Sequence, residues 1–163
     1  MSLTASTKEQ LEVPVGMGQI VVVGAGQLAS TVLGSCIGLS LYHPARRMTA
    51  VAHIVLPCSQ NRTGLPGKFA DTAVPHMLDL LAAKGAQRSG LNAKLSGGAS
   101  MLGGTGMMEI GAANRAALIK ILEDLRIPIV GEHLGGKKGR RITVNGRTGD
   151  IKIEIQGEPV VTL

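Results

Sequence analysis

Two short apolar runs, Ile37 to Tyr42 and a return run that carries His53, flank the polar segment His43-Pro44-Ala45-Arg46-Arg47. Runs of this length bounded by turn residues predict paired strands, and a hairpin centred on Pro44-Ala45 sets their register. It places Ile37 opposite Ala52, Leu39 opposite Ala50 and Leu41 opposite Met48, making one face wholly apolar. The other face opposes Cys36 to His53, Gly38 to Val51 and Ser40 to Thr49. Side chains alternate across a strand with period two, so a slip of one residue would separate Cys36 from His53.

Elsewhere the same patterning predicts strands over Glu12 to Met17 and Gln19 to Val23, broken by Gly16 and Gly18. Gly24 to Ser35 reads as a glycine-rich connection with helical character. Asp71 is a capping residue for a helix from Thr72 to Lys84, with Pro75 in its first turn, where proline is least harmful. Val74, Met77, Leu78 and Leu81 follow helical spacing and predict the face that packs on a sheet. Leu91 to Leu95 is a short strand running into Ser96-Gly97-Gly98-Ala99-Ser100-Met101, and Gly103 to Gly111 reads as a flexible loop; these glycines suggest the wall of a site. A second amphipathic helix, Ala112 to Leu125, carries Ala117, Leu118, Ile121, Leu122 and Leu125 on one side. Three strands follow: Pro128 to His133, Arg140 to Val144 and Ile151 to Ile155, the last two joined by the turn from Asn145 to Gly149. The expected organisation is α/β, a mixed and largely antiparallel sheet with two main helices. Residues 1–11 are expected to form a flexible tail and 12–163 a single domain.

Composition narrows this picture. At 163 residues, 44% hydrophobic and 17% charged, the chain is long enough for one substantial core. Phe69 and Tyr42 are its only aromatic residues, so that core must be aliphatic. Neither an apolar run of membrane-spanning length nor a signal pattern is visible, which predicts a cytoplasmic protein without membrane insertion. Two cysteines make no disulfide framework, and Cys58 falls five residues beyond the position facing Cys36, too far for a bridge. A net charge of +6 favours acidic partners. The missing aromatic platforms argue against binding single-stranded nucleic acid by stacking, and no nucleic-acid partner is expected. No His, Cys, Asp and Glu cluster has metal-site spacing, so neither metal nor cofactor is expected.

Three segments invite chemistry. Ile20 to Ala29 brings a strand to G-x-G-x-x-A at Gly24, Gly26 and Ala29, the pattern of a dinucleotide-binding turn. The ribose-binding acid is missing, because no Asp or Glu occurs between Val13 and Ala70; a turn that needs glycine backbone angles is the alternative. Gly135-Gly136-Lys137-Lys138-Gly139-Arg140-Arg141 lacks phosphate-loop spacing and reads either as a solvated basic loop or as a contact for an acidic protein surface. Cys36, taken alone, reads as a small buried hydrophobe. With His53 at hand it becomes a candidate nucleophile, since a thiol needs a neighbouring base or cation to act as thiolate. His43, His76 and His133 have no such partner and read as surface or structural residues.

Set in order, Leu33-Gly34-Ser35-Cys36 and Ala52-His53-Ile54-Val55-Leu56-Pro57 resemble the chemoreceptor glutamine deamidase family, CheD, of bacterial and archaeal chemotaxis. The resemblance continues through Gly67 to Asp71, Ala93 to Met101, Ile110 to Asn114 and Gly135 to Arg140, covering residues 12 to 155. It implies an α/β sandwich related to the catalytic domain of the cytotoxic necrotizing factors, with Cys36 as nucleophile and His53 as base. It also implies a threonine six positions before the cysteine that orients the histidine; Ser30 stands there, with Thr31 one position later. Gly34, Ser35 and Thr31 would contribute to an oxyanion or substrate wall. The implied reaction is hydrolysis of receptor glutamine side chains to glutamate through a cysteine thioester, with receptor glutamate methyl esters as further substrates. The implied partners are the chemoreceptor cytoplasmic domain and, in a non-catalytic adaptor role, the phosphatase CheC.

Overall fold

In the computed structural model, the described residues are 9–100 and 108–163. Along the chain the elements are β1 (Leu11–Pro14), β2 (Ile20–Val23), β3 (Gln27–Leu33), β4 (Ile37–His43), β5 (Met48–Ile54), α1 (Ala70–Ala83), β6 (Asn92–Gly97), α2 (Met108–Asp124), β7 (Ile129–Leu134), β8 (Arg140–Asn145), β9 (Ile151–Glu154) and β10 (Val161–Thr162). The strands form two sheets, ordered β1-β3-β8-β9-β10 and β2-β5-β4-β6-β7. Pairing is antiparallel except between β1 and β3 and between β6 and β7. This is the mixed, largely antiparallel α/β organisation with two main helices that the patterning predicts, arranged as the sandwich that the resemblance implies. Among the described residues no helix is long and apolar enough to cross a membrane.

The second sheet is the middle layer. Ile37, Leu39 and Leu41 of β4 and Ala50, Ala52 and Ile54 of β5 turn to the helices and bury against Val74, Met77, Leu81, Leu118 and Leu122. The reverse face packs on the first sheet through Val51, Ala29, Leu33, Ile142, Val144, Ile151 and Ile153, with Cys36 half-buried beside them. Asp71 does not cap α1: the cap position is Phe69, which makes no side-chain capping bond, and Asp71 instead accepts from Ser59 N at 2.9 Å. Burying Val74, Met77 and Leu81 contributes roughly 1.5–3 kcal/mol each, which outweighs a missing cap worth about 1 kcal/mol.

Four expectations change. The β4–β5 loop holds four residues, Pro44 to Arg47, so the hairpin centre moves by one residue and the register by two. Gly38 faces His53, Leu39 faces Ala52, Leu41 faces Ala50 and Ser40 faces Val51. The loop closes this way because Arg46 N donates to His43 Nδ1 at 3.1 Å and Arg47 takes a left-handed φ of 51°. An even shift preserves both faces, so the apolar side stays apolar. Gly24 to Ser35 is not helical: a tight turn, with Gly26 at φ 77° and Gln27 N donating to Gly24 O at 3.1 Å, leads into strand β3. With no helix after Gly26, the dinucleotide reading loses its phosphate site. The predicted loop from Gly103 to Gly111 ends early, since α2 begins at Met108, while Gly103 to Met107 lie outside the described residues. Of the predicted tail, residues 1–8 lie outside the described residues, and Leu11 is already paired with Gln27. The short strand β10, which pairs with β9, had no counterpart in the sequence pattern.

Gly97, at the end of β6, has φ 107°, and a Cβ there would drive into the Cys36 carbonyl oxygen. Gly97→Ala is expected to destabilise the fold by about 2–4 kcal/mol, measured by urea denaturation. Gly26→Ala, where nothing lies within 4 Å of the added Cβ, carries only the strain of its positive φ and is expected to cost less.

Candidate active site

Cys36 is the last residue of the Gly34–Cys36 loop that joins the two sheets, immediately before β4. The segment after β6 straps it down: Gly98 N donates to Cys36 O and Ala99 N to Gly34 O, each at 2.9 Å. Gly97 and Gly98 take positive φ to make this strap. Gly111 of α2 braces it from behind, with a Cβ there falling 2.9 Å from Gly98 O. Among the described residues, neither Ser35 N–H nor Cys36 N–H donates to a backbone carbonyl.

His53 lies on β5, 5% exposed, on the face turned to the first sheet. The shifted register makes Gly38 its direct neighbour and Cys36 its diagonal one, with Cβ atoms roughly 7 Å apart in a regular pair, within reach of an imidazole. Gly38 puts no side chain between them; a Cβ there would sit 2.9 Å from Ile142 Cδ1 and 3.0 Å from Leu33 Cδ1, whose methyl groups fill that space. His53 Nδ1 lies 2.8 Å from Thr31 Oγ1 and 3.4 Å from Val15 O. A carbonyl only accepts, so Nδ1 carries the proton in the neutral ring and Nε2 keeps its lone pair.

The hydroxyl that meets His53 is therefore that of Thr31 and not that of Ser30. Along β3 the residues Ala29, Thr31 and Leu33 point between the sheets, whereas Ser30 points to the opposite face, beside the Glu12 carboxyl that it holds below its usual value. The strand's period of two separates these neighbours completely. Gly38 went unnoticed in the sequence as a site residue; its signal is the absence of a side chain directly across from the histidine. His133, read as lacking a partner, accepts from Arg140 Nη1 through Nδ1 at 2.7 Å. His43 is buried at the hairpin turn. Cys58 is a free, half-buried thiol outside this constellation.

Burial dominates the electrostatics. It pushes the Cys36 thiol above its ordinary value and pulls the His53 imidazole below its own, the latter partly offset by the Val15 carbonyl. Thiol and imidazole thus rest neutral near pH 7. Such a pair can act only by moving the proton as the thiol attacks, in contrast to a standing thiolate–imidazolium pair.

The family model described as CheD chemotactic sensory transduction matches residues 55–155. The "Probable chemoreceptor glutamine deamidase CheD" of Clostridium kluyveri is 39% identical over 90% of this chain and 94% of its own. The chain belongs to the CheD family. The "Chemoreceptor glutamine deamidase CheD" of Thermotoga maritima is 38% identical over 88% of this chain and 91% of that one, and the probable CheD of Geobacillus kaustophilus is 38% identical over 91% and 94%. Among solved structures, Bacillus licheniformis hypothetical protein YfiH aligns over 80% of this chain and 60% of that one at 12% identity and a TM-score of 0.41, too loose a likeness to argue from.

In a Cys58→Ser background, the rate of Cys36 alkylation by iodoacetamide is expected to keep rising beyond about pH 9, because burial holds the thiol protonated. A plateau reached below about pH 8 would instead reveal a thiolate paired with His53.

Proposed function

We propose that the protein is a chemoreceptor glutamine deamidase in which Cys36 is the nucleophile, His53 the general base and Thr31 the residue that orients it. The observation that carries this reading is the two-oxygen clamp on His53 Nδ1, which leaves Nε2 as the free base on the diagonal neighbour of the cysteine. His53 Nε2 takes the thiol proton as sulfur attacks the side-chain amide carbon of a receptor glutamine. The oxyanion forms beside the N–H groups of Ser35 and Cys36, which donate to no backbone carbonyl among the described residues. Imidazolium then protonates the leaving nitrogen, ammonia departs, and a thioester remains. Water activated by His53 hydrolyses that thioester to glutamate and restores the thiol. A glutamate methyl ester would enter the same thioester with methanol as the leaving group.

Thr31 enters this scheme by position, and Ser30 leaves it. Names borne by close relatives supply the substrate: those proteins are called chemoreceptor glutamine deamidases. A second protein partner, the phosphatase CheC, follows from the family resemblance alone, and its binding would survive loss of the thiol.

Cys36→Ala is expected to abolish ammonia release from a receptor cytoplasmic fragment, and the one-unit mass gain at the target glutamine, without lowering the melting temperature. Release that persists at the native rate would overturn the proposal. Thr31→Val, which removes the hydroxyl but keeps the shape, is expected to lower kcat about 10–100-fold. Thr31→Ser should restore most of it, while Ser30→Ala stays within about twofold of the native rate.

A further inference from the structure

The loop from His133 to Arg140 borders a cavity of about 270 Å³ lined by His133, Gly135, Lys137, Lys138, Arg140 and Glu158, among others. The Arg140 guanidinium is 3% exposed, donates to His133 O and Nδ1 and to Gly135 O, and has its Nε buried without a partner. It makes no ion pair among the described residues, and neither do Lys137 and Lys138. Lys138 Nζ reaches only the Gln156 carbonyl, at 3.3 Å. At His133 Nδ1 the bond from Arg140 is accepted, because a guanidinium can only donate. Among the described residues lining the cavity Glu158 is the one carboxylate, against three cations, so that lining carries a net positive charge. Glu158 favours the Arg140 charge from a distance without forming an ion pair, and a buried cation left unpaired is costly.

This loop is bonded directly to the strap that holds Cys36. Gly135 N donates to Gly97 O and Ser100 N to Gly136 O, each at 2.9 Å, while the strap's other edge holds Cys36 and Gly34. Arg140 is also the β8 partner of Leu33, the residue that leads into the Cys36 loop. Two strand spacings of about 4.8 Å separate the basic loop from the cysteine backbone. That is about three residues of an extended chain, or about two turns of helix at 5.4 Å each.

We propose that the Lys137–Arg140 loop is the docking site for an acidic segment of the protein substrate, reading carboxylates about 10 Å from the glutamine that enters the Cys36 site. The inference rests on the deamidase reading for the identity of the substrate. A carboxylate arriving there meets two exposed lysines and the field of Arg140, which steers association and fixes which glutamine is presented.

The test uses the Cys36→Ala protein, so that binding is read without turnover, with a purified receptor cytoplasmic fragment as probe. Adding Lys137→Glu and Lys138→Glu is expected to raise Kd about tenfold at low salt, with an unchanged melting temperature, and Lys137→Gln with Lys138→Gln should give a smaller rise. Affinity of the unsubstituted loop should fall steeply as salt increases. On the active enzyme, a glutamine peptide flanked by glutamates should lose its kcat/KM advantage over one flanked by serines when both lysines are reversed. A Kd within twofold in all loop variants, or binding to phosphatidylserine vesicles in place of the fragment, overturns the docking site. Such a result leaves Cys36-dependent ammonia release standing, whereas release that persists in Cys36→Ala overturns the deamidase reading itself.

Discussion

The hydrogen bond between Thr31 Oγ1 and His53 Nδ1 spans the gap between the two sheets, and the site's geometry depends on it. Thr31 belongs to a strand of the outer sheet and His53 to a strand of the middle one. Each is held by a ladder of main-chain bonds and by the aliphatic layer around Val51, Leu33 and Ile142. A sandwich interior is close-packed, so the imidazole cannot turn without displacing that layer. The second oxygen, Val15 O, comes from the chain beyond β1 and chooses the tautomer. Orientation of the base is therefore a property of the sheet packing, and the local loop has little part in it.

The cysteine is held by a different device. Its loop crosses from one sheet to the other and is strapped by two bonds from Gly98 and Ala99. These bonds use the carbonyls of Gly34 and Cys36. The strap needs glycine at position 97, where φ is 107° and the Cys36 carbonyl fills the space of a Cβ. On its far edge the same strap carries the basic loop through Gly135 and Gly136. The candidate thiol–imidazole pair and a cluster of cations without ion pairs among the described residues are thus two sides of one glycine-rich segment.

Much of this was legible in the sequence. The two helices appear within a few residues of their predicted bounds, and the apolar face of the β4–β5 hairpin is the one that alternation indicates. Placing Cys36 and His53 on one face survived although the register did not, because the four-residue loop moved it by two and parity was kept. Less legible was β3, since Gly24, Gly26 and the small residues after them resemble a loop or a helix start as much as a strand. Ser30 and Thr31 are nearly equivalent as letters. Only the pleat of β3, set by its pairing with β1 and β8, decides which hydroxyl faces inward.

The sequence by itself determined the class of fold, the faces of the central hairpin, Cys36 and His53 as a candidate pair and the family the chain belongs to. Tertiary structure decided which hydroxyl meets the imidazole, where the thiol stands relative to it and which cations form no ion pair among the described residues. The division has a physical cause. Periodicity and residue chemistry are local and can be read along the chain, whereas Thr31 meeting His53 joins two different sheets. Likewise, Arg140 is buried without an ion pair among the described residues, by a burial that only packing creates.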